Sequence, residues 1–305
     1  MIKYYYRNVK DAKIQEITDF RVGCWIDVQN PVDKELDKLA AKLHLESGHL
    51  HDAMDLHEVP RLETENGTTY IFTRFPHGDG ESITTSPILI IIAETFIATI
   101  SPKTPFFIQR LQERKQYFTT QKVKLMLQII SEINTSYNYY LNQISKQIRS
   151  AEVKLEKISN KDIIQFVAIE GVVNDFRPSL VHINGVLESL LKGKRLTFFE
   201  RDKDLVEDIV LSNRQLVEIA DDSRRTIVNI REAYTTIMTN NLNRVIKLLT
   251  SVTVIFTIPT MIASLYGMNV RLPLEGSPQA FWFILFLILV ISIGTLWIFA
   301  REDFL

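Results

Sequence analysis

Two long charge-free runs near the end of the chain constrain its fold more than any other feature. The first covers residues 248–265 and the second covers residues 280–300. A helix of about 18 residues, rising about 1.5 Å per residue, is roughly 27 Å long, which is close to the hydrocarbon thickness of a bilayer. Only residues 267–279 connect the two runs. The pattern therefore predicts a two-helix membrane hairpin.

The rest of the chain has the composition of a soluble domain. Of its 305 residues, 46% are hydrophobic and 23% are charged, and the net charge of −1 gives no basic surplus that would indicate nucleic-acid binding. The single cysteine, Cys24, cannot form an internal disulfide, so we expect it to pack in a core in a reducing compartment. Residues 1–7 lack the apolar segment of a secretory signal, which predicts a cytosolic location for roughly the first 240 residues.

The first hundred residues show short β-type runs separated by turn residues. Runs of this kind lie at 1–6, 24–28, 69–75, 88–93 and 95–100, and two short helices are expected near 34–43 and 49–56. Residues 83–100 are also apolar, but Pro87, Glu94 and the many β-branched residues favour paired strands over a third membrane span. The sequence therefore predicts an α/β domain built on a mixed sheet.

Long helical segments follow from about residue 119. We expect helices at 122–158, at 161–191 and from 204 to about 266, with Pro178 kinking the middle helix or lying near its break. The third segment has no strong stop signal before the first apolar run, so it is predicted to be one helix of roughly 60 residues, about 90 Å long. A helix of this length must pack against other helices along most of its course.

A stripe of mostly polar side chains runs along the first apolar helix at steps of three and four residues. Its members are Asn243, Ile246, Thr250, Thr253, Thr257, Thr260 and Ser264. In one interpretation the hydroxyls bond back to carbonyls four residues earlier and help helices to pack, without a pore. In the other, the stripe lines a water-filled path, with Ile246 and Leu249 as apolar constrictions near its inner mouth. The second interpretation requires an oligomer, because two spans per chain cannot enclose an aqueous path.

Charged residues beside the hairpin indicate its orientation. Arg231, Arg244 and Lys247 precede the first span, whereas the connection contains only Arg271 against Glu275. An excess of basic residues marks the cytoplasmic side of a membrane protein. Both termini are therefore expected in the cytosol, with the hairpin in the cell membrane.

The tripeptide Gly267-Met268-Asn269, preceded by Tyr266, resembles the signature of the CorA family of divalent-cation transporters. Its setting is also similar to that family. A long polar helix leads into the first span, with residues 243–247 at the inner face of the membrane, and the short outer loop contains residues 273–275. Residues 24–28, Cys-Trp-Ile-Asp-Val, resemble the opening of the family's soluble domain. The resemblance covers essentially the whole chain.

This resemblance implies a homopentameric, channel-like transporter of Mg²⁺, often also of Co²⁺ and Ni²⁺, rather than an enzyme. The implied partners are four further copies of the chain, the lipid bilayer and divalent cations, with no nucleic acid. The implied organisation is a cytosolic α/β domain (1–118), a funnel or stalk of long helices (119–247), a pore-lining transmembrane helix (248–266), an outer loop (267–279), a second transmembrane helix (280–300) and a cytosolic tail (301–305).

The resemblance also implies roles for individual residues. Asn269 would form a ring at the outer mouth that selects hydrated Mg²⁺. On physical grounds Gly267 suits a helix C-terminus, where a positive φ can be needed, and Met268 is interpreted as a packing residue rather than a ligand. Glu232 matches a family acidic position for the regulatory Mg²⁺ that gates transport, and its partner is not identified. The positions implied to line the pore are Asn243, Ile246, Leu249, Thr253 and Thr257.

Several alternatives stay open beside Mg²⁺ uptake. They are Zn²⁺ transport, efflux of divalent cations, and a membrane-anchored sensor or scaffold without conduction. Met268 argues against Zn²⁺ transport, because relatives of the zinc branch have Gly-Ile-Asn. A zinc site at His49, His51 and His57 is disfavoured because His49 and His51 are two residues apart and cannot share a helix face. No HExxH, GxSxG, Walker or CxxC motif indicates catalysis. The acidic tail after Arg301 lacks the lysine cluster of many relatives.

Overall fold

The chain forms two compact units, residues Met1–Ile230 and Arg231–Leu305. The computed structural model describes residues 1–78, 83–113, 117–152, 158–192, 198, 200–270, 273 and 277–302. The expectations for Arg271 and Glu275 in the outer connection, and for the tail beyond Glu302, lie outside the described residues.

A seven-stranded mixed sheet forms the centre of the first unit, as predicted. Its strands are β1 Ile2–Tyr6, β2 Gln15–Ile17, β3 Cys24–Gln29, β4 Arg61–Glu65, β5 Thr68–Gly78, β6 Ile83–Ile92 and β7 Phe96–Ser101. The order across the sheet is β2-β1-β3-β7-β6-β5-β4. Only the β3–β7 pair is parallel among the described strands, and it aligns Trp25 with Ile97. The apolar residues 83–100 are antiparallel strands β6 and β7 rather than a membrane span.

The sequence did not predict β2 and β4. Both are edge strands, and each has a single β-branched residue among mostly polar ones, in the sequences Gln-Glu-Ile and Arg-Leu-Glu-Thr-Glu, which gives a weak strand signal. Each has a partner on one side only, where pairing with β1 or β5 holds it in place. Polar, short edge strands of this kind also discourage pairing with other chains.

Alternating residues of the sheet pack in two separate cores. On one face, Cys24, Ile26 and Leu89 pack with helices α1 Asp33–Leu43 and α2 Ser47–Asp52. Cys24 is fully buried there, which confirms its predicted packing role. On the other face, Trp25 and Ile97 join the core of the long helices. This arrangement follows from the period-2 alternation of side chains along a strand.

Four further helices complete the polypeptide before the outer connection: α3 Phe107–Glu113, α4 Lys122–Glu152, α5 Asn160–Lys192 and α6 Glu200–Tyr266. In the α4–α5 core the fully buried rings of Tyr137 and Phe176 meet edge to face, 5.0 Å apart. Pro178 lies inside α5, and the helix continues through it. The predicted long third helix is confirmed and begins slightly earlier than expected, giving 67 residues and a length of about 100 Å.

A buried polar relay links β3 and β7. The Trp25 indole Nε1 donates to Thr99 Oγ1 over 3.0 Å, and the Thr99 hydroxyl donates to Asp27 Oδ1 over 2.8 Å. Gln29 Nε2 donates to the other Asp27 oxygen over 2.6 Å. Burial raises the pKa of Asp27 to about 6, against the opposing effect of these hydrogen bonds, because desolvation disfavours the ionised carboxyl.

The second unit contains the end of α6 and helix α7 Ala280–Arg301. Both helices have the length and hydropathy of a membrane span, with mean hydropathy of 1.9 in the apolar part of α6 and 2.7 in α7. No residue of α7 is buried within the chain. Such apolar surface is too extensive for contact with water alone and fits a lipid or protein environment.

Candidate functional site

The residues expected to line a pore all lie on the exposed part of α6. Ile246 is 51% and Leu249 is 65% exposed, and Asn243, Thr253 and Thr257 are exposed as well. At about 100° per residue, these five positions fall within an arc of about 120° on the helix. The helix therefore presents one face on which a carboxamide, two large aliphatic side chains and two hydroxyls follow one another.

The hydroxyls on this face bond to their own helix. Thr253 Oγ1 donates to the Leu249 carbonyl over 2.7 Å, and Thr257 Oγ1 donates to the Thr253 carbonyl over 2.7 Å. Thr260 does the same with the Phe256 carbonyl over 2.7 Å. Each hydroxyl oxygen keeps lone pairs that can accept a hydrogen bond from water. The back-bonding expected for helix packing is present, and it is equally compatible with a hydrated face.

The helix ends at the Gly267-Met268-Asn269 motif. The Gly267 N–H donates to the Ala263 carbonyl over 3.0 Å, and the Met268 N–H donates to the Leu265 carbonyl over 3.3 Å. The expectation of a positive φ at Gly267 is wrong, because the glycines with positive φ among the described residues are Gly23 and Gly67. A tightened last turn closes the helix and needs no left-handed residue.

The carboxamide of Asn269 is exposed, and it makes no hydrogen bond to any residue that the structure describes. Met268 is also exposed, at 52%. Within one chain both side chains are thus available for contacts with solvent, ions or other chains. Their position directly after the end of an apolar helix of membrane-spanning length places them where such a helix would leave the bilayer.

Pro259 is a feature of α6 to which the sequence reasoning assigned no role. It lies inside the helix, between Thr257 and Thr260 of the hydroxyl stripe. Proline has no N–H, so the carbonyl of Ile255 has no donor at the usual position four residues later. Pro259 could have been noted from the sequence alone, because a proline within an apolar helical run marks a local weakening of the helix.

Helix α7 differs from α6 in its polar content. Its aromatic residues cluster at the two ends, with Phe281 and Trp282 near the start and Trp297 near the end, next to Arg301. Tryptophan at both ends is typical of a helix anchored at two membrane interfaces. The Thr295 hydroxyl is bonded to the Ile291 carbonyl over 2.9 Å. This pattern fits a helix that faces lipid.

Glu232 lies on α6, exposed, eleven residues before Asn243, which corresponds to about 16 Å along the helix. Its carboxylate forms no ion pair with the described part of the chain, and the Thr236 hydroxyl donates to its backbone carbonyl over 3.0 Å. Throughout the described ranges, no group of three or more His, Cys, Asp or Glu side chains is arranged to hold a metal ion within one chain.

The histidines considered for zinc have separate neighbours. His49 Nε2 lies 3.4 Å from Glu63 and 3.3 Å from Glu65, on β4. His51 Nε2 lies 3.0 Å from Asp37, on α1. The two rings therefore approach different elements, as their spacing of two residues indicated.

The chain matches one family model and is similar to several known transport proteins. The family model described as CorA-like Mg²⁺ transporter protein matches residues 21–301. The cobalt/magnesium transport protein CorA of Methanocaldococcus jannaschii is 28% identical over 312 residues, covering 98% of this chain and 96% of the relative. The putative metal ion transporter YfjQ of Bacillus subtilis is 23% identical and covers 85% of this chain and 81% of its own length.

Solved structures agree on the fold. The complete structure of the CorA magnesium transporter from Methanocaldococcus jannaschii has a TM-score of 0.88 to this chain at 24% identity, covering all of this chain and 99% of the other. The similarity therefore includes the α/β domain, the long helix and the two apolar C-terminal helices. These relatives are transport proteins rather than enzymes.

Proposed function

The chain belongs to the CorA-like Mg²⁺ transporter family, and on that premise we propose that five copies assemble into a channel-like transporter for uptake of Mg²⁺, and also of Co²⁺ and Ni²⁺. In this proposal α6 lines the pathway with Asn243, Ile246, Leu249, Thr253 and Thr257, and α7 forms the outer, lipid-facing ring. The single observation that supports it best is the exposed polar face on an otherwise apolar helix.

The physical argument for an oligomer starts from that face. Carboxamide and hydroxyl groups are unfavourable in hydrocarbon unless they meet water or other polar groups. One chain offers two apolar helices, which are too few to enclose an aqueous path. Several copies of α6 around an axis would remove the polar face from lipid and form a continuous lumen. Ile246 and Leu249 would then form its apolar constriction on the inner side.

Selection of the ion is assigned to Gly267-Met268-Asn269. Mg²⁺ binds six oxygen ligands in near-ideal octahedral geometry and dehydrates reluctantly, so recognition of the hydrated ion avoids a large energetic cost. A ring of Asn269 carboxamide oxygens can accept hydrogen bonds from the waters around the ion. Because the ring is neutral, it also avoids holding the divalent ion too tightly for release. Met268 would pack at the motif against neighbouring chains or lipid.

The membrane potential can drive uptake without ATP. With both termini in the cytosol and the outer loop outside, a divalent cation moving inward gains about 4.6 kcal/mol per 100 mV of negative-inside potential. The proposed domain limits are those given by the sequence: 1–118, 119–247, 248–266, 267–279, 280–300 and 301–305. The proposed location is the plasma membrane.

Gating is proposed to depend on Mg²⁺ bound between cytosolic domains of neighbouring chains, with Glu232 as one ligand. The exposure of its unpaired carboxylate leaves it free to meet a neighbouring chain. If this assignment holds, Glu232→Gln should reduce the inhibition of transport by Mg²⁺ inside proteoliposomes. Unchanged inhibition in this variant would remove Glu232 from the regulatory site.

The selectivity assignment is tested by comparing uptake of Mg²⁺, Co²⁺ and Zn²⁺ by the wild type and Asn269→Ala in proteoliposomes. Asn269→Ala should abolish selective Mg²⁺ uptake, whereas Gln279→Ala, in the same outer connection, should retain it. Preferential Zn²⁺ uptake by the wild type would instead support the zinc alternative. Transport only out of the vesicles would support efflux, and the absence of any flux would support a sensor or scaffold.

A further inference from the structure

A cleft of about 550 Å³ in the first unit has no part in the proposed ion pathway. Its walls are strands β5 and β6, the segment 56–60, and α5 around Pro178. Two full positive charges, Arg74 and Lys103, and three histidines line it, against the carboxylates of Glu58 and Asp175.

Arg74 is held at the wall of this cleft by neutral oxygens. Its Nε donates to Thr85 Oγ1 over 2.9 Å, its Nη1 to the Glu58 carbonyl over 2.8 Å, and its Nη2 to the carbonyls of Leu56 and Thr85 over 2.8 and 2.9 Å. Burial lowers the pKa of Arg74, because desolvation disfavours its cation. The guanidinium is thus fixed in place without a carboxylate bonded to it, and a nearby anion would stabilise it.

A hydroxyl donor lies beside this cation. Thr85 Oγ1 accepts the hydrogen bond from Arg74 Nε, so its own hydrogen is left to donate elsewhere. The next residue, Ser86, is buried and faces the other side of the sheet, because side chains alternate along β6. Thr85 is therefore the hydroxyl that can reach an anion beside Arg74.

Two carboxylates also line the cleft, and neither forms an ion pair with Arg74 or Lys103 among the described residues. Glu58 is engaged by the guanidinium of Arg61, which lies outside the cleft lining and also pairs with Asp52 and Glu63. Asp175 is exposed and forms no ion pair with any described residue. Lys103, also exposed, has no carboxylate partner in the described ranges. The His182 ring nitrogen Nδ1 lies 2.6 Å from the Pro178 carbonyl, which orients the ring at the wall of the cleft.

We propose that this cleft binds a small phosphate-bearing molecule, with Arg74 and Lys103 supplying positive charge and the Thr85 hydroxyl donating a hydrogen bond. A phosphate group matches the site because it presents several acceptor oxygens and up to two negative charges to the cations and the hydroxyl that line the cleft. The volume of the cleft exceeds that of phosphate alone, so there is room for an organic group attached to it.

The test is isothermal titration of the full chain in detergent with inorganic phosphate, AMP and uncharged adenosine, in Mg²⁺-free buffer. Lys103→Ala should weaken the binding of phosphate or AMP about tenfold, the loss expected for one charge-assisted hydrogen bond. Asp175→Asn should strengthen it, because a repelling carboxylate is removed. Lys38→Ala, an exposed lysine on α1, is the matched control and should change nothing.

The three ligands separate the sources of the phosphate group. Equal affinity for phosphate and AMP would show that the phosphate alone is recognised, and tighter AMP binding would indicate a nucleotide. Two results would overturn the proposal: no binding of either compound at millimolar concentration, or equal affinity for AMP and adenosine. Weaker binding in Asp175→Asn would also contradict an anion site. Gel filtration of each variant checks that its fold and assembly are retained.

Discussion

Thr257 lies one helical turn after Thr253 on α6, and its hydroxyl donates a 2.7 Å hydrogen bond to the Thr253 carbonyl. The same geometry joins Thr253 to Leu249. A threonine that satisfies its donor inside the helix can face either a neighbouring helix or water, since only its acceptor lone pairs remain available. This hydrogen bond therefore does not distinguish helix packing from ion conduction. A substitution that keeps the shape of the threonine side chain but removes its hydroxyl oxygen distinguishes the two.

Thr257→Val is the corresponding variant, because valine preserves the branched shape. We expect a several-fold lower Mg²⁺ flux in proteoliposomes, since a hydrated lumen would lose one ring of acceptors. Thr295→Val on α7 removes a hydroxyl with the same back-bond, to the Ile291 carbonyl, and should leave flux unchanged. Equal effects of the two substitutions would favour helix packing as the role of the stripe.

Gly267→Ala tests whether the glycine is needed within one chain. A Cβ built on Gly267 lies 3.5 Å from the carbonyl oxygens of Ala263 and Ser264, which is an ordinary contact, and its φ is not positive. We therefore expect the variant to unfold at the same temperature as the wild type, as measured by circular dichroism in detergent. A clearly lower unfolding temperature would show that the glycine is required by the fold of the helix end.

Asp27→Asn should change the pH dependence of stability. The pKa of Asp27 is about 6 in the folded chain, above its value of 3.8 when unperturbed, so the folded state binds the proton more tightly. Protonation of Asp27 contributes at most about 3 kcal/mol to the free energy of unfolding. This contribution is fully present below about pH 4 and is lost as the pH rises through about 6. Asp27→Asn should not show this loss of stability as the pH rises through about 6.

The measurement for Asp27 is the unfolding temperature of wild type and variant between pH 4 and pH 8, followed by tryptophan fluorescence, because Trp25 belongs to the same relay. The difference between the two proteins should change across the window around pH 6. Parallel curves would mean that the Asp27 carboxyl titrates alike in the folded and unfolded chain.

Phe176→Ala should be strongly destabilising. The ring is fully buried and meets Tyr137 edge to face, so its removal leaves a cavity and should lower the free energy of unfolding by about 3–5 kcal/mol. Ile164→Ala is the control on the same helix α5. Ile164 is 70% exposed, and its truncation should cost no more than about 0.5 kcal/mol. Chemical denaturation of both variants checks this difference.

The sequence predicted those parts of the fold that follow from long, regular patterns. The apolar strands, the long helices α4 to α6 and the apolar helix α7 were predicted from hydrophobic periodicity or from uninterrupted apolar length. The edge strands β2 and β4 were missed because their pairing, rather than their composition, makes them strands. Gly267 was assigned a positive φ from the usual behaviour of glycine at helix ends, whereas here backbone bonds to Ala263 and Ser264 close the last turn.

The candidate site was also only partly predictable from the sequence, but the reason is different. The spacing from Asn243 to Thr257 specifies one helix face, because the period of an α-helix is fixed. In the proposed assembly that face meets other copies of the chain, and the conformation of one chain does not encode such a contact locally. The cleft lined by Arg74, Lys103 and Pro178 could not be predicted either, since its lining comes from five separate segments of the chain.

The most direct test of the central claim is Mg²⁺ entry into proteoliposomes under an imposed potassium diffusion potential. The wild type should take up Mg²⁺ at a rate that rises as the interior is made more negative, and Asn269→Ala should abolish this selective uptake. Native mass measurement of the same preparation should give five chains. A monomer, or the absence of potential-dependent Mg²⁺ entry in the wild type, would contradict the assignment of α6 as the lining of an ion pathway.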